Sequence, residues 1–310
     1  MKPTLATVRQ GGKAAIAQVI SLIEADPSQI GGVLDEAQAN ARGVVLGVTG
    51  PPGVGKSTLI DAIIRHERSK ARSVAVIAVD PSSRKSGGAV LGDRARLALD
   101  PLDQQLYVRS LAARARLGGL ADAAFPCAVL LRALFDLVIL ETVGVGQSET
   151  EIAHACDIVA FCVQPGSGDA LQFIKAGVME IPDILFVTKA DLGAPARRTA
   201  SDAQSALSLG ARASPPVLLV SATSGPAQNG VSAAMAMVRS CASEGGADQR
   251  LHQISSWFDE RKTRLFGSIG AHFVDRCIGV SELFQKGFAI EERAAARLIG
   301  CLNRRGDGRV

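Results

Sequence analysis

Eight consecutive residues, Gly50-Pro51-Pro52-Gly53-Val54-Gly55-Lys56-Ser57, follow the pattern G-x-x-x-x-G-K-[ST]. Glycines at these places let backbone N–H groups curl around phosphate oxygens. A lysine then reaches the β and γ oxygens, and a hydroxyl ligates a magnesium ion. The chemistry requires a strand before the loop and a helix after it. The apolar run VVLGV precedes it, and TLIDAII, beginning at Thr58, follows, so the helix N-terminus adds a dipole that favours anions.

A phosphate-bound magnesium ion needs hard oxygen ligands in octahedral geometry. Three acids stand where strand ends would bring them: Asp80 after VAVIAV, Asp93 within Leu91-Gly92-Asp93-Arg94, and Glu141 after LVIL. Asp80 and Asp93 also suit turns or caps, a common place for Asp beside Pro, Ser and Gly. Thr142-Val143-Gly144-Val145-Gly146-Gln147 follows Glu141 as a loop able to sense a γ-phosphate through Gly144.

Further along, the apolar run ILFV ends in Thr188-Lys189-Ala190-Asp191, one residue from the Asn-Lys-x-Asp guanine signature. A carboxylate at Asp191 accepts from guanine N1–H and from its exocyclic amine, a donor pair that adenine lacks. Lys189 lays its stem along the base, and Ser221-Ala222-Thr223, after VLLV, offers a backbone N–H to guanine O6. The nucleotide expected is GTP. Thr188 departs from the signature, because one hydroxyl cannot supply both the donor and the acceptor of an Asn amide, and a weaker guanine affinity is expected.

These residues need strands and helices in alternation to position them. Apolar runs at Val44–Val48, Val74–Val79, Leu137–Leu140, Ile158–Val163, Ile184–Val187 and Val217–Val220 suit strands buried on both faces. Helical stretches at Ser57–Arg65, Glu149–Ala155, Leu171–Met179 and Thr199–Leu209 lie between them. The pattern is that of an α/β, doubly wound, mostly parallel sheet. Helical periodicity at Lys13–Glu24 and Gly32–Asn40, and again at Gln253–Phe273, adds N- and C-terminal helical extensions. The expected division is an N-terminal extension over 1–41, a nucleotide-binding domain over 42–238 and a C-terminal helical arm over 239–310.

The 310 residues are 47% hydrophobic and 21% charged, which excludes a disordered chain. A net charge of +4 with 4% aromatic residues gives neither a strong phosphate-backbone field nor a stacking platform, so nucleic acid is not an expected partner. The six cysteines form no C-x-x-C pair and read as buried thiols of a reducing compartment. The most apolar stretch, Cys127 to Leu140, is broken by Arg132 and Asp136, so no membrane span is expected and the cytoplasm is the expected location.

In the blocks GVTGPPGVGKSTLID, VAVIAVDPSSRKSGGAVLGDRAR, VRSLAARARLGGLA, ETVGVGQSE and PGSGDALQFIKAGVMEIPDILFVTKAD, the chain resembles the MeaB/ArgK/MMAA family. These are P-loop GTPases of the SIMIBI class that act as chaperones of coenzyme B12-dependent acyl-CoA mutases. The resemblance runs from about Lys13 to Phe266. It implies that Lys56 and Ser57 serve phosphate and Mg²⁺, and that Asp80, Asp93 and Glu141 form the acidic metal and catalytic set. It also implies a partner-signalling switch over Gly168–Lys175, with Asp169, Gln172 and Lys175 as its polar members. Spacing alone reads those three as a solvated helix face.

The chain has Arg114-Ala115-Arg116 where the family usually has Arg-Gly-His, and Cys277–Val310 finds no counterpart. The resemblance further implies a cobalamin-dependent acyl-CoA mutase as partner, its adenosyltransferase as a second, cobalamin carried by the mutase and a homodimer. Trp257, Phe258 and Phe266 lie where the family has its dimerisation arm, and core packing explains them equally well. Gln147 stands three residues beyond Gly144 rather than beside it, and no arginine finger is evident in the chain. Slow intrinsic hydrolysis, stimulated by a partner, is therefore expected. Two other readings are a transport-linked kinase of ArgK type and a metal-insertion GTPase. The first lacks a recognisable phospho-acceptor site and the second a Cys- or His-rich tract.

Overall fold

The computed structural model describes residues 3–81, 103–113, 123–142, 148–166, 182–208, 214–225, 229–243, 250, 253, 255–257 and 259. Of the expected features, Asp93, Gly144, Gln147, Asp169, Gln172, Lys175, the helix over 171–179, Phe258 and Phe266 lie outside these residues, as does most of the helix over 253–273.

Seven strands make one sheet among the described residues: β1 Val44–Thr49, β2 Val74–Pro81, β3 Leu106–Ala113, β4 Leu137–Glu141, β5 Ile158–Val163, β6 Ile184–Val187 and β7 Val217–Leu219. The order across the sheet is β3-β2-β4-β1-β5-β6-β7, and every pairing is parallel. Six strands fall on the apolar runs named above. The seventh, β3, lies at an edge, where Arg109 and Ser110 interrupt the apolar pattern that marks the central strands.

The helices are α1 Leu5–Gln10, α2 Gly12–Ala25, α3 Gly31–Ala39, α4 Lys56–Ser69, α5 Ala124–Arg132, α6 Ser148–Ala155 and α7 Ala194–Leu207, with a further helix, α8, over residues 231–243. None among the described residues is long and apolar enough to cross a membrane.

The chain divides into two compact units. One comprises Met1–Ala41, Phe125–Leu134 and Ala247–Val310. Its helix α2 buries Ile16, Val19, Ile20 and Ile23, the i, i+3, i+4, i+7 spacing of one helix face. Glu36 on α3 accepts from the Leu5 amide at 2.8 Å and so holds the start of α1. The Trp257 ring packs against Phe125 of α5 at 5.9 Å between centroids, which gives this aromatic a partner inside its own unit.

The other unit comprises Arg42–Ala124 and Phe135–Gly246 and contains the sheet. Period-two alternation sorts its core onto two faces. Leu46, Val48, Ile139, Ala160, Cys162, Ile184 and Phe186 pack with Leu59, Ile60 and Ile63 of α4 and Val231, Met235 and Val238 of α8. Phe161, Val163, Leu185 and Val187 face the other way, against Ala196, Ala203 and Leu207 of α7. Cys127, Cys156 and Cys162 are buried as expected, whereas Cys241 on α8 is only half-buried.

At the edge opposite the glycine-rich loop, the fully buried Glu67 of α4 bonds to Arg72 at 3.2 Å and to Arg239 of α8. Beside β4, Asp136 accepts from the Ser73 amide at 2.8 Å and the Ser73 hydroxyl at 2.7 Å. Burial pushes the Asp136 carboxyl up, but the two Ser73 hydrogen bonds, with Arg42 and Arg239, bring it below its ordinary value. A depressed carboxylate contributes stability that is complete above the unfolded-state value near pH 3.9 and is lost as pH falls through the folded-state value. Asp136→Ala is expected to cost about 1–3 kcal/mol at pH 7, by orphaning the buried Ser73 amide. The gap to wild type should narrow as denaturation is followed below about pH 4; a gap constant down to pH 2.5 would show that the carboxylate charge is not involved.

Candidate functional site

Parallel strands end on one side of the sheet, and a doubly wound sheet binds ligands where its strand order reverses. Here the reversal lies around β1, which has β4 on one side and β5 on the other. The phosphate-loop residues leave β1, Glu141 ends β4, Thr188–Asp191 leaves β6 and Ser221–Thr223 leaves β7. All of these meet the same edge, and β1 and β6 are two strand spacings apart, about 10 Å.

The loop is a chain of left-handed turns, with φ of 138° at Gly50, 76° at Gly53 and 98° at Gly55. At Gly50 the requirement is also steric: a Cβ there would lie 2.4 Å from the carbonyl oxygen of Cys162 in β5. Pro51 is half-buried and Pro52 exposed, while Val54 turns inward and is buried. Gly55 caps α4, whose first three residues are Lys56, Ser57 and Thr58. The buried Lys56 donates through Nζ to the Gly50 carbonyl at 2.7 Å and the Pro51 carbonyl at 3.1 Å, which fixes the ammonium beneath the turn.

Ser57 Oγ donates to Oε1 of the buried Glu141 at 2.8 Å, across 84 residues of sequence. Asp80 lies on β2 two residues beyond Ala78, the residue in register with Glu141, so its backbone reaches the same edge. Among the described residues no three His, Cys, Asp or Glu side chains gather as a metal site. The hard oxygens that do meet are those of Ser57 and Glu141, and their chemistry suits Mg²⁺. The next residue, Thr142, donates its hydroxyl to Thr49 Oγ1 at 2.9 Å, a buried tie between the ends of β4 and β1. Burial pushes the Cys162 thiol up to about 12, with Lys56 pulling it down and Glu141 pushing it further up. This thiol is therefore an un-ionised wall of the site rather than a nucleophile.

On the other side of β5, the buried Thr188 hydroxyl lies 2.7 Å from the Val54 carbonyl and 3.0 Å from the Val163 carbonyl. It touches both neighbouring segments, as the Asn amide of the signature sequence is expected to do, but with one proton for two acceptors. Lys189 adopts a left-handed conformation, φ 53°, and its ammonium reaches the Gly53 carbonyl at 3.3 Å and Gln164 Oε1.

Asp191 accepts the Ser221 hydroxyl at 2.7 Å, and the same oxygen of Ser221 receives the amides of Thr223 at 3.3 Å and Ser224 at 3.2 Å. The Ser221 hydroxyl, an amide of its own backbone, the Thr223 hydroxyl and Lys189 together hold the Asp191 carboxyl below its ordinary value, so it is ionised at neutral pH. Ala222 packs against the core cluster behind the loop.

The two groups of residues picked out by their spacing thus stand on either side of β5. Thr49, Thr142, Gln164 and Ser224 also belong to the constellation. Thr49 and Thr142 fall within the blocks GVTGPPGVGKSTLID and ETVGVGQSE, whereas no motif marks Gln164 or Ser224. The one local sign at Gln164 is a polar residue between the apolar run of β5 and Pro165-Gly166.

The sequence profile of the family described as "Methylmalonyl Co-A mutase-associated GTPase MeaB" matches residues 16–264. The chain belongs to the MeaB family. A putative GTPase of Pyrococcus horikoshii is 44% identical to this MeaB-family chain over 188 residues, 59% of the chain and 59% of that protein. A Caenorhabditis elegans protein named methylmalonic aciduria type A homolog, mitochondrial, is 36% identical over 220 residues, 65% of the chain and 55% of that protein. The matches therefore span little more than half the length of these relatives. A crystal structure named LAO/AO transport system kinase superposes with a TM-score of 0.63 at 25% identity, covering 95% of this chain and 96% of that one. The fold of this MeaB-family chain is a P-loop sheet of the SIMIBI class, as the resemblance of the motifs implied, and among the described residues the sheet is parallel throughout where a mostly parallel one was expected.

Proposed function

We propose that this chain binds and hydrolyses GTP and, as a nucleotide switch, serves as chaperone to a coenzyme B12-dependent acyl-CoA mutase. The observation that carries the reading is the pairing of two half-sites across β5. One is the Lys56, Ser57 and Glu141 group, and the other is Thr188, Lys189 and Asp191 braced by Ser221.

In this reading the loop amides and Lys56 bind the phosphates, and Asp191 accepts the two guanine donors while Ala222 or Thr223 offers an amide to O6. Ser57 and Glu141 would hold Mg²⁺, with Asp80 and Asp93 completing the acidic set. When bound, the ion neutralises charge on the phosphate oxygens. Gly144 serves the γ-phosphate sensor. Catalysis then rests on positioning and fixed charge rather than on covalent chemistry. Asp169, Gln172 and Lys175 signal the nucleotide state to the mutase, which carries the cobalamin. An adenosyltransferase is a second partner, the chain pairs as a homodimer through its C-terminal arm over 239–310, and it works in the cytoplasm.

Support for the mutase comes from the family description and from the name of the C. elegans relative. A kinase, as the solved structure is named, would need an acceptor that leaves with the phosphate. Titration should show GTP binding at least tenfold tighter than ATP. Hydrolysis should release inorganic phosphate slowly, and faster once a purified methylmalonyl-CoA mutase is added. Equal GTP and ATP affinities would sink the guanine assignment. A mutase that is neither retained by the GTP-bound chain nor able to stimulate hydrolysis would sink the chaperone role.

A further inference from the structure

We propose that Gln164 is a positioning residue for guanine recognition, anchoring the far end of the Lys189 side chain so that its stem lies fixed where the base stacks. The inference rests on the GTP reading above and adds to it a residue that no sequence pattern marks.

A lysine stem makes a flat wall for a base only if its ammonium is held at the far end. A free Lys carries about 2 kcal/mol of rotamer entropy that binding would have to remove. Lys189 is exposed, and two acceptors hold its ammonium: the Gly53 carbonyl at 3.3 Å and the Gln164 side-chain oxygen. The Gly53 contact is long for a hydrogen bond, which leaves Gln164 as the stronger hold. Gln164 is half-buried and directly follows β5, so its own position is set by the strand. The backbone at Lys189 is left-handed, φ 53°, a conformation that costs a residue with a Cβ about 1–2 kcal/mol, and a tether at the side-chain tip helps to keep it.

The neighbouring residue explains why this anchor matters here. The Thr188 backbone amide donates to the Val163 carbonyl at 2.9 Å, but its hydroxyl has a single proton for the carbonyls of Val54 and Val163, so the side chain adds one donated bond where an Asn amide can add two. The Lys189 to Gln164 bond ties the same loop to the same strand end one residue further on. A contact to the base side is made equally in the ground state and the transition state, so it should change binding and leave the chemical step alone.

The test is titration of GTP and GDP into the 310-residue chain, with kcat and KM for GTP hydrolysis, in wild type, Gln164→Ala and Gln164→Glu. Gln164→Ala should weaken GTP and GDP alike by about 3–10-fold, the worth of one ordinary, solvent-exposed hydrogen bond, and raise KM with kcat within twofold. Gln164→Glu should restore wild-type affinity or exceed it, because a carboxylate accepts from an ammonium more strongly. That rescue separates positioning from a general loss of packing, which a glutamate would not repair. The proposal is overturned if Gln164→Ala binds both nucleotides as wild type does, if it lowers kcat without changing affinity, or if Gln164→Glu is as weak as the alanine variant. A wild-type chain that fails to bind GTP or GDP at all would remove the GTP reading itself, a distinct result visible before any variant is made.

Discussion

Lys56→Ala is expected to lower single-turnover GTP hydrolysis by about 10²–10³-fold, the usual consequence of removing a preorganised positive group from a site of developing charge. The expectation follows from where the ammonium sits. It is buried and held by the Gly50 and Pro51 carbonyls on the floor of the turn, so its charge is already in place and needs no reorganisation. A methyl group there removes the side-chain cation given to the phosphates, and GTP affinity should fall as well. Far from the loop, the sheet and its two apolar faces do not depend on this charge, so the Tm should stay within a few degrees of wild type. Hydrolysis within fivefold of wild type at saturating GTP would contradict the role given to Lys56.

The second large effect is expected on the fold and the site together. Gly50→Ala places a Cβ 2.4 Å from the Cys162 carbonyl oxygen and 3.1 Å from the Cys162 nitrogen. Both are backbone atoms of a central strand, which cannot move aside as a side-chain tip can. The same residue has φ 138°, which L-residues with a Cβ rarely adopt. Steric crowding and backbone strain together give about 2–5 kcal/mol of destabilisation, or a Tm lower by roughly 10 °C for a unit of this size. Loss of nucleotide binding should accompany it, because relief of the clash must lift the loop off β5. An unchanged Tm with intact GTP binding would show that the loop and strand are not in the contact described.

The central strands and the phosphate loop were legible in the sequence because each is specified locally. A run such as ILFV is apolar on both faces because both faces are covered, and the loop glycines are needed where the chain turns left-handed. The edge strand β3 escaped because Arg109 and Ser110, both only half-buried, break that pattern. Helix α5 escaped for a different reason. It runs into β4 through Ala133-Leu134-Phe135-Asp136 with no glycine or proline between them, so only the strand at Leu137–Leu140 stood out and the helix before it carried no stop signal of its own. Gln164 stands out only as a polar residue after the apolar run of β5, which assigns it no role. Its role depends on a lysine 25 residues away and on the left-handed turn that aims it, neither of which leaves a local trace.

Cys162, Val163 and Gln164 are successive residues, and each meets a different part of the site. The Cys162 carbonyl abuts Gly50, the Val163 carbonyl receives Thr188, and Gln164 receives Lys189. The end of β5 is therefore a common gauge for the phosphate end and the base end of the ligand. A shift of that strand along its axis would detune both ends at once. Selection for an altered base preference would then disturb phosphate binding whenever it acted through residues 162–164, and separable tuning would have to come from the loops that lean on this strand instead.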